Sequence, residues 1–163
     1  MSKFSTAPGA ALQKMWNRLL PWPLGRWLFH RLLRLRVPYT GALGARVLSL
    51  EPGYARVALR DRRGVRNHLN SIHAVALANL GELTSGLALT SVLPPGVRGI
   101  VVHIGMDYFK KARGRLIAES RAALPPVIDR DIEHLAQAEI RDAEGEVVAR
   151  AGVRWRLGPQ PPR

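Results

Sequence analysis

From about Ser71 to Val92 the chain reads SIHAVALANLGELTSGLALTSV, a helix-like run with only two ionisable groups, His73 at its start and Glu82 in its middle. Its small residues, Ala74, Ala76, Ala78, Gly81, Ser85, Gly86 and Ala88, fall all around the helix rather than on one face, so the rest of the fold can pack against it on every side. Two glycines inside a helix cost roughly 0.5–1 kcal/mol each relative to alanine, which points to another backbone or a ligand passing close by. Pro94, Pro95 and Gly96 then stop the helix.

Within that apolar run Glu82 calls for a reason. Burying a carboxylate is costly unless it is paired, hydrogen-bonded or kept protonated, and a catalytic acid or base is one such reason.

The chain has 163 residues with 47% hydrophobic content, the size of one ordinary domain with room for a core and a terminal extension. It contains no cysteine, which excludes a disulfide framework, a thiolate nucleophile and a thiolate metal site. The five histidines have no short ligand spacing, so no metal is expected. The net charge is +13, and all but four of the 25 basic residues are Arg. Such a balance suits a substrate or partner bearing phosphate, as it suits a solvated Arg-rich surface. Zinc-finger spacing, RNP-type aromatics and a GxxG clamp are missing, and a nucleic-acid partner is not expected.

The first carboxylate is Glu51, whereas the first 36 residues already hold Lys3, Lys14, Arg18, Arg26, Arg31, Arg34 and Arg36. Trp and Leu residues interleave with these at helical spacing, and Pro21 and Pro23 divide the segment into two helices. Arg26 interrupts the apolar stretch and no Ala-x-Ala site follows, so neither a membrane span nor a cleavable signal is expected, and the chain is assigned to the cytoplasm. A basic amphipathic helix suits a membrane surface. Covering an exposed part of its own domain is the favoured reading, with peripheral membrane contact the less favoured one.

After Pro38 the period changes to two. Arg46–Leu50 and Ala55–Arg60 flank Glu51-Pro52-Gly53-Tyr54, a type II turn by its Pro and Gly, and the spacing predicts further strands over Ile100–Phe109, Arg115–Ala122, Ile132–Arg141 and Val147–Leu157. Asp142-Ala143-Glu144-Gly145 reads as a hairpin loop with Gly145 at positive φ. The order is strand, strand, buried helix, then four strands expected as an antiparallel meander. A curved sheet of about six strands around one helix, an α+β hotdog architecture with N-terminal helices, satisfies it. Residues 1–36 are expected as a helical extension, 37–158 as the hotdog domain and 159–163 as a disordered tail.

Over roughly Pro38 to Leu157 the sequence resembles the hotdog thioesterases, specifically the PaaI-like acyl-CoA thioesterases and an uncharacterised branch related to them. Asn67-His68-Leu69-Asn70-Ser71-Ile72-His73-Ala74 followed by Glu82 is similar to the family pattern of Asn, a small linker, His-Gly-Gly and a helix carboxylate. Asp107-Tyr108-Phe109-Lys110-Lys111-Ala112 sits where those enzymes have a strand leading to an acyl-CoA contact. The resemblance implies that Glu82 is general base or nucleophile, that Asn67 orients the carbonyl or the water, and that the Ala74 amide polarises the thioester oxygen. A free N–H at a helix N-terminus suits the charge that thioester hydrolysis develops on oxygen.

Two features depart from the pattern: Ala74-Val75 replaces Gly-Gly, and Ile100, Val101 and Val102 stand where some relatives place a Ser or Thr. His68, in the loop, is a candidate substrate contact. His73 is another, although nine residues put it about 180° around the helix from Glu82, which favours a structural part. Lys110, Lys111 and Arg113 are candidates for the phosphates of coenzyme A, which enters as part of the substrate and not as a cofactor; a solvated strand end is their plainer reading.

Ala74 and Glu82 are eight residues apart on one helix, about 12 Å, too far for both to touch one carbonyl. A site that uses both therefore takes Glu82 from a second chain, in agreement with the homodimer or tetramer that the resemblance implies. Hydrolysis of an acyl-CoA or related thioester is the leading expectation, with the acyl chain in a channel along the central helix. The alternatives are a hotdog dehydratase or hydratase and a non-catalytic acyl-ligand binding protein.

Overall fold

The computed structural model describes residues 8–160. Three helices come first, α1 (Pro8–Leu19), α2 (Gly25–Arg36) and α3 (Pro38–Leu43). They are followed by β1 (Arg46–Glu51), β2 (Tyr54–Leu59), the long helix α4 (Ala74–Ser91), β3 (Val97–Tyr108), β4 (Leu116–Arg121), β5 (Ile132–Arg141) and β6 (Val147–Pro159). The strands form one antiparallel sheet in the order β1-β2-β4-β5-β6-β3, and α4 packs against β2, β4, β5 and β6. This is the hotdog fold that the alternation of strand and helix periods predicts.

Strand order departs from the expected four-strand meander. Only β4, β5 and β6 run as one, while β3 pairs with β6 along the far edge and β4 pairs with β2. The cause is α4, which carries the chain across the sheet between β2 and β3. The 12 residues of β3 then find their match in length in the 13 of β6. The stretch after Pro38 also differs, since Pro at the first helical turn starts the short α3 before the first strand.

Both predicted turns are present, with Gly53 at φ 73° and Gly145 at φ 85°. The glycines of α4 have the close neighbour that their cost implies. A Cβ on Gly81 would lie 2.3 Å from the Ala151 Cβ, and one on Gly86 would lie 3.2 Å from the Trp155 ring. Both neighbours belong to β6, which presses directly on the helix. Gly81→Ala is therefore expected to destabilise the fold by about 1–3 kcal/mol through overpacking, a cost larger than its gain in helix propensity. Urea unfolding at unchanged m-value measures it.

The N-terminal helices belong to the core as much as they cover it. Trp16 and Phe29 are buried and meet edge to face, their ring centroids 4.8 Å apart. Burial pushes the His30 imidazole below its usual range, which favours its neutral form. Its Nε2 accepts from the Val47 N–H at 2.8 Å, and its Nδ1 lies 2.5 Å from the Arg26 carbonyl, placed to donate to it. One ring thus ties α2 to the edge strand β1. At the other end, Pro159 still pairs with Val97 and the Gln160 N–H donates to the Gly96 carbonyl. The expected tail thus begins inside the sheet at Pro159 and is tied to its edge by Gln160, and its remainder, 161–163, lies outside the described residues, as do residues 1–7.

Candidate active site

Asn67 opens a tight loop before α4. Its Oδ1 accepts from the Leu69 N–H (2.9 Å), the Ser71 N–H (3.2 Å) and the Ser71 hydroxyl (3.1 Å), while its own N–H donates to the Ser71 carbonyl. Two backbone donors at one side-chain atom identify that atom as the carbonyl oxygen. The Nδ2 amide, which has no acceptor among the described residues, is the end available to a substrate. Asn70 completes the turn at φ 53°, a left-handed conformation that Asn tolerates. The Ile72 N–H donates to the Ala112 carbonyl and the His73 N–H to the Val65 carbonyl, so the loop enters the helix on a fixed path.

His73 is the N-cap of α4, with its Nδ1 accepting from the Val75 N–H at 3.1 Å. This is the structural part favoured by its position. Ala74 is the first helical residue and is exposed, and no acceptor for its N–H occurs among the described residues, as expected at that position. Its carbonyl accepts from the Tyr108 hydroxyl at 3.1 Å, which brings the end of β3 to the helix N-terminus. His68 stands exposed in the loop.

Glu82 lies on α4 two turns beyond Ala74, half-buried, and no donor reaches its carboxylate among the described residues. Burial alone raises its pKa above the usual carboxylate range. Trp155 stands close to the same helix stripe, against Gly86. The stripe also carries Asn79, three residues before Glu82, whose Oδ1 is buried without a partner among the described residues; the Trp155 Nε1 is in the same condition. Sequence reasoning overlooked Asn79 and took Tyr108 only as part of a strand leading to an acyl-CoA contact. The i, i+3 spacing of Asn79 and Glu82 is a signal for the first, whereas the meeting of Tyr108 with Ala74 arises only from the pairing of β3.

Ala74 and Tyr108 therefore meet at the helix N-terminus, Asn67 holds the loop that leads into it, and Glu82 stands apart along the helix. Lys110 is engaged elsewhere. Its ammonium meets Asp142 at 2.6 Å and also Glu146, so two carboxylates of the β5–β6 hairpin hold it and raise its pKa. Lys111 and Arg113 are exposed and form no ion pair among the described residues. The described residues include no cluster of three or more His, Asp or Glu able to hold a metal ion, and no helix long and apolar enough to cross a membrane.

A separate groove of about 800 Å³ runs between α2, α3 and the start of β1, reaching α4 only at Leu83. Glu82 does not line it. Six arginines do: Arg26, Arg31, Arg34, Arg46, Arg60 and Arg115.

The chain is similar to solved structures of the same architecture. A structural-genomics protein, APC5556, superposes with a TM-score of 0.78 at 25% identity, covering 91% of this chain and 98% of that one. A Pseudomonas aeruginosa protein described as a probable thioesterase gives 0.69 at 24% identity, with 80% and 93% covered. A thioesterase family protein from Silicibacter pomeroyi gives 0.68 at 19%, with 80% and 96% covered. No curated protein matches the chain. The family described as Domain of unknown function (DUF4442) matches residues 25–157, from the start of α2 to two residues before the end of β6. This match spans most of the sequence, and the chain is a hotdog-fold member of the DUF4442 family.

Proposed function

We propose that this protein hydrolyses an acyl thioester, such as an acyl-CoA, at a site shared between two subunits. The observation that carries the reading is Glu82, a half-buried carboxylate with no donor among the described residues, a raised pKa and no other ionisable group on its helix. Solved relatives described as thioesterases support the reaction class.

Water attacks the thioester carbon as Glu82 takes its proton. The oxyanion so formed accepts a hydrogen bond from the Ala74 N–H at the positive end of α4, and the Asn67 Nδ2 orients the carbonyl or the water. Collapse breaks the C–S bond, and the thiolate leaves with the proton returned by Glu82, giving a carboxylic acid and a thiol. Lys111 and Arg113 are assigned to the phosphates when the thiol is coenzyme A. The second subunit is assigned to the edge strand β3, whose exposed Ile100, Val102 and Ile104 and unpaired backbone suit a second copy.

A panel of acyl-CoAs with chromogenic detection of the released thiol tests the proposal. Free acid and thiol are the expected products by mass, and the absence of turnover across short, long and aromatic acyl groups would defeat it. The acid limb of kcat/KM is expected to lie above the titration range of an exposed Glu, because the base must be ionised and burial raises its pKa. An acyl-binding protein without turnover is the second reading. It is favoured by Ala74-Val75 at the helix start, where Val75 is exposed beside the amide that a substrate must reach.

A further inference from the structure

The N-terminal segment covers the domain with one face only. On α2, Gly25 and Phe29 are buried, whereas Leu28 and Leu35, together with Leu24 just before the helix, form a second, exposed stripe at i, i+4 and i+11, about 100° around the helix from the buried one. With Trp22, Trp27 and Tyr39 they make a patch whose members are 40% to 77% exposed. The expectation that the Trp and Leu residues serve to cover the chain's own domain holds for Trp16 and fails for Trp22 and Trp27.

The patch is bordered by cations. Arg31 and Arg34 flank it on the groove side, Arg26, Arg46, Arg60 and Arg115 line the groove beyond them, and none of the six forms an ion pair among the described residues. Arg31 lies over the Trp27 ring, 5.1 Å from its centroid. No carboxylate precedes Glu51 in the sequence.

We propose that the outer face of α2 docks the protein on an anionic phospholipid surface, with Trp22, Leu24, Leu28 and Leu35 entering the headgroup–acyl boundary and the Arg flank meeting the phosphates. Three features of the patch select this occupant. Exposed Leu side chains gain by entering an apolar layer, Trp suits the boundary itself, and Arg binds phosphate bidentately. A second copy of the chain is a poor fit. A two-fold contact would bring two such Arg-flanked patches together with no acid on either to pair them.

Flotation of the full chain with vesicles tests the proposal. Phosphatidylcholine vesicles containing one-third phosphatidylglycerol are expected to carry the protein at low salt, pure phosphatidylcholine vesicles to carry much less, and half-molar NaCl to release most of it. The variant Trp22→Ser/Leu24→Ser/Leu35→Ser alters only exposed side chains. It is expected to keep the wild-type melting curve and lose at least tenfold in bound fraction. No flotation of the wild type, or undiminished flotation of a folded triple variant, overturns the proposal. So does sedimentation in which the triple substitution splits an oligomer, since the patch would then be a contact between copies. If the triple variant does not fold, Arg31→Glu/Arg34→Glu takes its place with the same reading.

Discussion

Glu82→Gln is expected to reduce acyl-CoA turnover by about 10²–10⁴-fold while leaving the fold intact or more stable. Gln keeps the size and a carbonyl oxygen but accepts no proton from water, so the loss falls on kcat rather than on KM alone. The stability half follows from the direction of the pKa shift. A carboxyl whose native pKa is raised favours the fold in its protonated form, and that contribution is lost as pH rises from the ordinary Glu range through the native value. Once pH exceeds that native value the wild type holds an ionised, half-buried carboxylate without a donor among the described residues, and Gln removes that cost. Chemical denaturation of both proteins at neutral pH and near pH 4 checks this, the advantage of Gln being expected at neutral pH and shrinking in acid. A variant with near wild-type kcat would mean that another group is the base.

The second expected result is complementation. Ala74 and Glu82 sit on the same continuous helix, two turns apart, so one chain cannot bring both to one carbonyl. If each site takes Asn67 and the Ala74 amide from one subunit and Glu82 from the other, defects in the two residues are separable. Asn67→Asp is the suitable partner variant. It keeps an oxygen for the Leu69 and Ser71 donors, so the loop survives, and removes the Nδ2 donor assigned to the substrate. A heterodimer of Asn67→Asp and Glu82→Gln chains then contains one site with both defects and one with neither. It is expected to recover about half of the wild-type activity, against almost none for either homodimer. A purified heterodimer that stays inactive, with subunit exchange blocked, rules out the shared site.

Much of this architecture is legible in the chain because it rests on local periodicity. An apolar run with small residues on every side specifies a helix enclosed by a sheet, and Gly53 and Gly145 mark turns that only a residue at ease with positive φ takes without strain. The same run makes Glu82 conspicuous, since one carboxylate among apolar neighbours needs no alignment of distant elements to be noticed. The helix rise alone separates Ala74 from Glu82.

Pairing between distant segments is what the sequence leaves open. The place of β3 beside β6, the contact of Tyr108 with Ala74, the capture of Lys110 by Asp142 and Glu146 and the unpartnered oxygen of Asn79 all depend on which strand lies next to which. Alternation with period two names a strand and its inner face but carries no information about its neighbours. The N-terminal helices show the same division. Their amphipathic spacing and lack of acids are plain in the sequence, but only tertiary packing decided that Phe29 enters the core while Trp22, Leu24 and Leu35 remain outside, because an apolar stripe is buried or exposed according to what stands opposite it.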